Sequence, residues 1–507
     1  MAVSKPIAIG VSLVSLLQRS LIFVYSPRTA RLQVLLSLLY IPSTYLYSNL
    51  AFHLRPLPLP FSDPSFTSES SFPSSPSLRS TTLRSPSSTP YYDRLAFCED
   101  SVTHRLEDGR EVGIASCDPT RWEWNTVMGT LVNPKVGKGA FWLINPIETL
   151  AKRIKLEWKE LEEDQVDFHP LGIDIHSSNR VDYLFSTNHQ ANKSTIEIFT
   201  LECTNSDCTA HHLRTLSHPS FTGAPNSIAV SSPTSFYLSH DHQFTLRNPS
   251  RLNKLLNSIE TIFALPLSSV DHISFSFDSN EINVSRAVSN IAFANGIALS
   301  PSGQTLVVAS TTTRSVRFYS RNLDMNEISR RPYRTVKLPF LVDNLSFAPR
   351  DFFGPSNRVK NPKHTSSQSS FDDSFTSIVT GHPSFPSLLS TAHRKPLTLL
   401  PLLQHLSFLP SPLIAPLNTF VKRWSFDWRE SRGMSWSVSI PHPPLASKEE
   451  WENLFRSSGK GEEGFGSSST AIVGKKEVEG NTKRWMIVVG LYEEGVRVVV
   501  EDRMRRN

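Results

Sequence analysis

Cysteine is scarce in this chain, and the arrangement of the four residues present is informative. No Cys-x-x-Cys pair exists, which argues against a structural zinc site. No Gly-x-Ser-x-Gly occurs, so the nucleophile elbow of a serine esterase is absent. Helical periodicity is rare, with 146–163 and 251–263 the best stretches. The basic residues behind the net charge of +6 are scattered apart from Arg503, Arg505 and Arg506. That is a solvated surface rather than the basic, aromatic-lined groove of a nucleic-acid binder. No nucleic-acid partner is expected.

Proline, at 36 of 507 residues, and serine concentrate in a few stretches, so part of the length is not core. Lys5 precedes an apolar run over 7–17, Gln18 and Arg19 interrupt it, and a second run covers 32–52 around Pro42. A membrane span needs about 20 apolar residues. Residues 1–52 are therefore read as a hydrophobic helical signal anchor, the alternatives being a cleaved signal peptide or an ordinary soluble helix pair. Pro56, Pro58, Pro60, Pro64, Pro73, Pro76, Pro86 and Pro90 punctuate a serine-rich stretch over 53–90. Such composition predicts an extended linker, which could carry O-linked sugars.

From Tyr91 to the end, short apolar runs alternate with turn signals, for example at 195–200, 305–310 and 485–490. A domain of this size needs roughly twenty or more strands, which favours a propeller of four-stranded blades over a sandwich. No exact internal repeat is visible. Inserts are expected at 354–373 (polar), 384–424 (Leu- and Pro-rich, a packed cover or a lid) and 449–469 (Gly-rich, mobile). Cys98 and Cys117 flank a hairpin-like stretch, and Cys203 and Cys208 a short polar turn. Two disulfides would suit an oxidising compartment; four free thiols is the other reading. Sequons begin at Asn192, Asn283 and Asn344.

Two places break the strand pattern. Asn295 stands in Phe293-Ala294-Asn295-Gly296-Ile297, and Asp343-Asn344 in Leu341-Val342-Asp343-Asn344-Leu345. Carboxylate and amide oxygens inside a strand are costly unless satisfied. A hard cation such as calcium, with six to eight oxygen ligands, would satisfy them. These motifs, with Pro170-Leu171-Gly172-Ile173, Thr187-Asn188-His189, Pro225-Asn226-Ser227, Asp241-His242 and Gly381-His382-Pro383 in that order, resemble the serum paraoxonase/arylesterase family over roughly 91–383.

The resemblance implies an all-β, six-bladed β-propeller over 91–507 with calcium in its central tunnel, held by Glu99, Asn226, Asn295, Asp343 and Asn344. It implies a second, structural ion at Asp100, the carbonyl of Ile173 and a carboxylate after Asn226; here Ser227 stands there, so that site is expected weak or empty. It implies a histidine pair as catalytic base. His189 matches one member; the other position holds Leu171, with His169 two residues earlier. His242 and His382 match family histidines near the tunnel. The cysteine clasp of animal members has no partner here, since no cysteine follows 496–501. The expected function is calcium-dependent hydrolysis of carboxylic esters or lactones, on a membrane of the secretory route (endoplasmic reticulum or cell surface), or secreted if the N-terminus is cleaved. The other expectation is a calcium-stabilised, non-catalytic propeller that binds a ligand or partner.

Overall fold

Leu306–Ala309 within Thr305–Ser310, and Trp485–Val489 within Asn481–Gly490, are apolar on successive residues. That pattern belongs to strands covered on both faces. In the computed structural model these strands lie inside a ring of packed sheets. The described residues are 45, 57–63, 65–70, 78–132, 139–159, 166–204, 207–349, 352, 375–397, 425–442, 451–478 and 481–501. The chain divides into two compact units, Met1–Arg55 and Pro56–Asn507. Only Tyr45 of the first is described, so the expected anchor over 1–52 lies outside the described residues. Among the described residues no helix is long and apolar enough to cross a membrane.

The second unit is a six-bladed β-propeller. Blade 1 runs outward through Cys98–Arg105, Glu111–Cys117, Ala140–Asn145 and Leu150–Arg153. Blade 2 comprises Pro170–Ser178, Val181–Asn188, Thr195–Cys203 and Cys208–Leu216, with Lys155–Glu157 paired outside them. Blade 3 is Pro225–Ser232, Ser235–His240, Ser268–Phe275 and Ile282–Ile291; blade 4 is Ala294–Leu299, Thr305–Ser310, Ser315–Asn322 and the short Glu327–Ile328 and Arg334–Lys337. Blade 5 is Leu341–Pro349, Phe375–His382, Ser435–His442 and Glu452–Ser457; blade 6 is Ser468–Val478, Asn481–Gly490 and Val496–Glu501. Each inner strand contacts the next around the ring, and that of blade 6 returns to blade 1.

A separate apolar wedge fills every gap between neighbouring blades. Phe185, Ile198 and Phe236 lie between blades 2 and 3; Val307, Phe318 and Phe340 between 4 and 5; and Trp142, Trp485 and Val498 between 6 and 1. Residues of one strand therefore serve two wedges alternately, which accounts for the unbroken apolar runs. The disulfides Cys98–Cys117 and Cys203–Cys208 each join adjacent strands of one blade.

Three stretches depart from the sequence reading. Inside the expected linker, Leu78–Leu83 forms the outermost strand of blade 6, in register from Leu78↔Glu501 to Leu83↔Val496, and Ser68–Ser70 pairs outside blade 5. An outer strand needs backbone partners more than apolar bulk, so average composition hid it. Within the helical spacing over 146–163, Leu150–Arg153 and Lys155–Glu157 are strands, because Ile154, Leu156 and Trp158 also alternate, and burial of Ile154 and Leu156 against blade 2 favours that period; 160–163 lies outside the described residues. Glu452–Ser457, inside the expected loop 449–469, is the fourth strand of blade 5. The expected polar insert 354–373 lies outside the described residues.

Two short helices matter for the site. They are α1 (Arg251–Ile262), where helical spacing was expected, and α2 (Phe385–Ala392), capped by Ser384 Oγ accepting from the Ser387 N–H.

Ring closure by the N-terminal strand can be tested directly. A chain beginning at Tyr91 should melt on the order of 10 °C below one beginning at Pro56, because six ladder residues of blade 6 lose their partners. Equal melting temperatures by calorimetry would show that the strand is dispensable.

Candidate functional site

The first strand of every blade is interrupted at its N-terminal end. Register shifts occur at Glu99, Leu171-Gly172, Asn226-Ser227, Asn295-Gly296, Asp343-Asn344 and Ser469. A bulge frees residues from the ladder and re-aims their side chains. Two residues before each bulge lies a second repeated feature. The carbonyls of Phe97, His169, Ala224, Phe293 and Ser467 accept from the N–H of Asp118, His189, Asp241, Thr311 and Leu491. In blade 5 the corresponding residues, Leu341 and His382, are paired within the ladder itself. Phe97, Phe293 and Ser467 hold left-handed φ of 55°, 51° and 46° there, a conformation that bulky residues adopt only where the surroundings enforce it. Glycine at 296 is required for another reason: a Cβ there would lie 2.5 Å from Asn344 Cα.

The bulges converge on a small cavity, about 40 Å³, at the tunnel mouth. Glu99, Asn226, Asn295, Asp343 and Leu171 line it, together with Asn125, Thr311 and His382. The amide groups are turned one way. Asn226 Nδ2 donates to Asp241 Oδ2 at 3.4 Å, Asn295 Nδ2 to Asp343 Oδ1 at 2.7 Å and to Thr311 Oγ1 at 3.1 Å, and Asn344 Nδ2 to Glu99 Oε1 at 2.9 Å. Their Oδ1 atoms, with Glu99 Oε2, are buried and accept no hydrogen bond. Four orphaned oxygens from blades 1, 3, 4 and 5 in one polar layer are the donor set a hard cation takes. Among the described residues no three His, Cys, Asp or Glu side chains cluster as a metal site, so the set is oxygen-rich and amide-rich instead. Burial, then the neighbouring Asp100 and Asp343, push the Glu99 carboxyl well above its ordinary range. Positive charge at this point would reverse that.

Asn344 and the remaining expected residues lie outside the cavity lining. Asp100, Ile173 and Ser227 form a neighbouring layer between blades. His189 is buried, with Nε2 2.6 Å from Pro225 O and Nδ1 2.5 Å from Thr126 Oγ1. Burial and then Arg247 hold its pKa down at about 3, so it is neutral, donating from Nε2. His169 lies 2.7 Å from Asp118 Oδ2 and 3.2 Å from Asp167 Oδ1. Burial lowers its pKa, but Asp118 and then Asp167 outweigh this and raise it to about 9. His242 bridges Asp241 and Thr261 and packs its ring on Phe293.

His382 is the histidine that faces the cavity. Its Nε2 lies 2.8 Å from Asp343 Oδ2, and its buried Nδ1 has no partner. The sequence signal was Gly381-His382-Pro383, which marked a position but no role. The rest of the mouth is apolar: Val127, Met128, Phe293, Leu341, Phe385, Leu388 and Leu491. Phe385 and Leu388 come from α2, so the start of the 384–424 insert forms a wall of the cavity; 398–424 lies outside the described residues.

The fold and site thus define a six-bladed propeller with oxygen donors gathered at its tunnel mouth. Residues 131–357 match the arylesterase family. Human serum paraoxonase/arylesterase 2 is 30% identical over 187 residues, 37% of this chain and 48% of that protein. Rat serum paraoxonase/lactonase 3 is 28% identical over 212 residues, 42% of this chain and 54% of that protein. A solved luciferin-regenerating enzyme overlays loosely, with a TM-score of 0.37 at 9% identity, covering 84% of this chain and 95% of that one. The chain spans about half the length of the curated relatives it matches. Over residues 131–357 the chain is similar to the arylesterase family, and its relatives there are paraoxonases.

The pairing of His169 has a pH signature. A histidine whose pKa rises from about 6.5 unfolded to about 9 folded contributes stability that is complete below the lower value and lost as pH rises through the upper. Replacing His169 by Gln should remove on the order of 3 kcal/mol of pH-dependent stability between those limits. Urea titrations of both proteins at pH 6 and pH 9.5 check this; parallel losses would contradict it.

Proposed function

We propose that this chain is a calcium-dependent hydrolase of carboxylic esters or lactones. The single observation that carries the reading is the set of four buried, unpaired oxygens: Glu99 Oε2, Asn226 Oδ1 and Asn295 Oδ1 on residues that line the cavity with Asp343, and Asn344 Oδ1 on the residue bonded to Glu99. Calcium held by these four oxygens, with the Asp343 carboxylate beside them, would polarise a substrate carbonyl and favour the developing oxyanion. His382 then supplies what the missing partner at Leu171 does not. Asp343 accepts from its Nε2–H, which leaves the Nδ1 lone pair without a partner, to take a proton from an attacking water. The apolar walls from Phe293 and α2 hold an uncharged acyl or aryl group and exclude bulk water. His189 and His169, with their ring nitrogens engaged by Pro225, Thr126, Asp118 and Asp167, fix the loop beneath the site.

A non-catalytic, calcium-stabilised propeller is the second reading. The observation favouring it is Leu171, an apolar side chain in the cavity at the position where the family resemblance puts a histidine. Aryl esters and lactones assayed with calcium and with chelator separate the two. Calcium at a hundredfold over its dissociation constant should add about 2.7 kcal/mol of stability. Turnover should fall at least roughly a hundredfold in His382→Gln, with the calcium-dependent stabilisation retained. If His189→Gln abolishes turnover while His382→Gln leaves it intact, the base lies with His189.

The same reading places the protein at a secretory-route membrane. Two disulfides fit an oxidising lumen, and the sequon residues Asn192 and Asn283 are exposed for glycosylation whereas Asn344 is buried. Helix α1 is inverted: Asn257 and Glu260 face inward, while Leu252 is 63%, Leu255 56% and Ile262 42% exposed. Exposed Arg251 and Lys254 flank this apolar stripe, the arrangement of a helix lying on an anionic lipid surface. In the unit Pro56–Asn507, replacing Leu252 and Leu255 by Asp should weaken binding to phosphatidylserine-containing vesicles at least roughly tenfold, given the transfer energy of two leucines. Unchanged co-sedimentation would remove α1 from the membrane contact.

A further inference from the structure

Beside the orphaned oxygens lies a layer in which polar groups are satisfied by protein, and it joins the inner strands in sequence. Asp100 Oδ2 accepts from the backbone N–H of Ile173 in the next blade at 2.9 Å. Asp174 Oδ2 of that strand accepts from the Val230 N–H of blade 3 at 2.7 Å. Ser227 Oγ of blade 3 accepts from the Ile297 N–H of blade 4 at 3.2 Å. Blade 6 completes the link to blade 1: Thr470 Oγ1 lies 3.0 Å from Asp100 Oδ1 and 2.9 Å from the Glu99 carbonyl. The Ser101 N–H is a further donor to Asp100 Oδ1 at 2.8 Å.

This layer contains the second ion position that the family resemblance implies: Asp100, the Ile173 carbonyl and residue 227. The residues present do not fit an ion there. Both Asp100 oxygens already accept from N–H or hydroxyl donors, whose positive ends occupy the directions a cation would need. At residue 227 a neutral hydroxyl, itself accepting an N–H, stands in place of a carboxylate. One carboxylate and one committed hydroxyl fall short of the charged, open oxygen set that calcium takes. The contrast with the four unpaired oxygens of the neighbouring layer is internal to the same bulges: Glu99 beside Asp100, and Asn226 beside Ser227.

We propose that this chain holds one calcium ion rather than two, the second having been replaced by hydrogen bonds from Ser101, Ile173 and Thr470 to Asp100, with Ser227 as the deciding residue. The inference rests on the cation reading of the central site. Its consequence is that the link between blades 6, 1 and 2 is independent of calcium concentration, while the central site is not.

The test is the number of calcium ions retained by the full chain after desalting, counted by elemental analysis and native mass spectrometry. One ion per wild-type chain, rising to two in Ser227→Asp and returning to one in Ser227→Asp with Asp100→Asn, is the expected result. Two ions in the wild type overturn the inference while leaving the central site standing. No ion in the wild type overturns the central site itself, and this inference with it. One ion in both wild type and a folded Ser227→Asp removes Ser227 as the deciding residue. If Ser227→Asp does not fold, the wild-type count alone still decides between one ion and two.

Discussion

The cost of burying oxygen atoms with no hydrogen donor dominates this molecule. Glu99, Asn226, Asn295 and Asn344 each keep one oxygen unpaired within the same polar layer, and a buried acceptor left unpaired typically costs about 1–3 kcal/mol. The protein tolerates the arrangement because six sheets close around it. The apolar wedges between blades and the strand Leu78–Leu83 on blade 6 keep the inner strands from relaxing apart. The amide N–H groups are engaged by Asp241, Thr311, Asp343 and Glu99, so the oxygens cannot rotate away without breaking those bonds.

The site is a six-fold variation on one local device. Every inner strand begins with a bulge, and in five blades a carbonyl two residues before it closes on an N–H after the second strand. What differs is the residue placed at the bulge. Blades 1, 3, 4 and 5 present oxygen, blade 2 presents Leu171, and blade 6 presents Ser469, whose hydroxyl is turned to the Cys98 carbonyl. The polar floor is therefore asymmetric, open on the side of blade 2, and the apolar wall from α2 and Phe293 stands over it.

The histidines follow the same repeat. His169 and His189 occupy the two backbone-linked positions of blade 2, where blade 1 has Phe97 and Asp118 and blade 4 has Phe293 and Thr311. Their place in the fold is structural first, and their opposite charge states follow from their surroundings: carboxylates that outweigh burial around His169, burial and then a guanidinium at His189. His382 ends the second strand of blade 5 opposite Leu341, which puts its ring on Asp343 in the cavity lining.

The sequence by itself determined the class of fold and the chemical kind of site. Short apolar runs between turns required many strands, and Asn295 and Asp343-Asn344, set inside such runs, required a partner for buried oxygen. Both conclusions rest on local patterns, period two in a strand and the cost of burying a polar group, that need no knowledge of neighbours. The bulge repeat was not legible, because it is a repeat of backbone register carried by a different residue or residue pair in each blade. The strand at Leu78–Leu83 was hidden by the prolines and serines around it, since an outermost strand is specified by its partner's open edge. The role of His382 and the satisfied state of Asp100 also came only with the tertiary structure. Each depends on which atoms lie within about 3 Å across blades far apart in sequence, and only closure of the ring decides that.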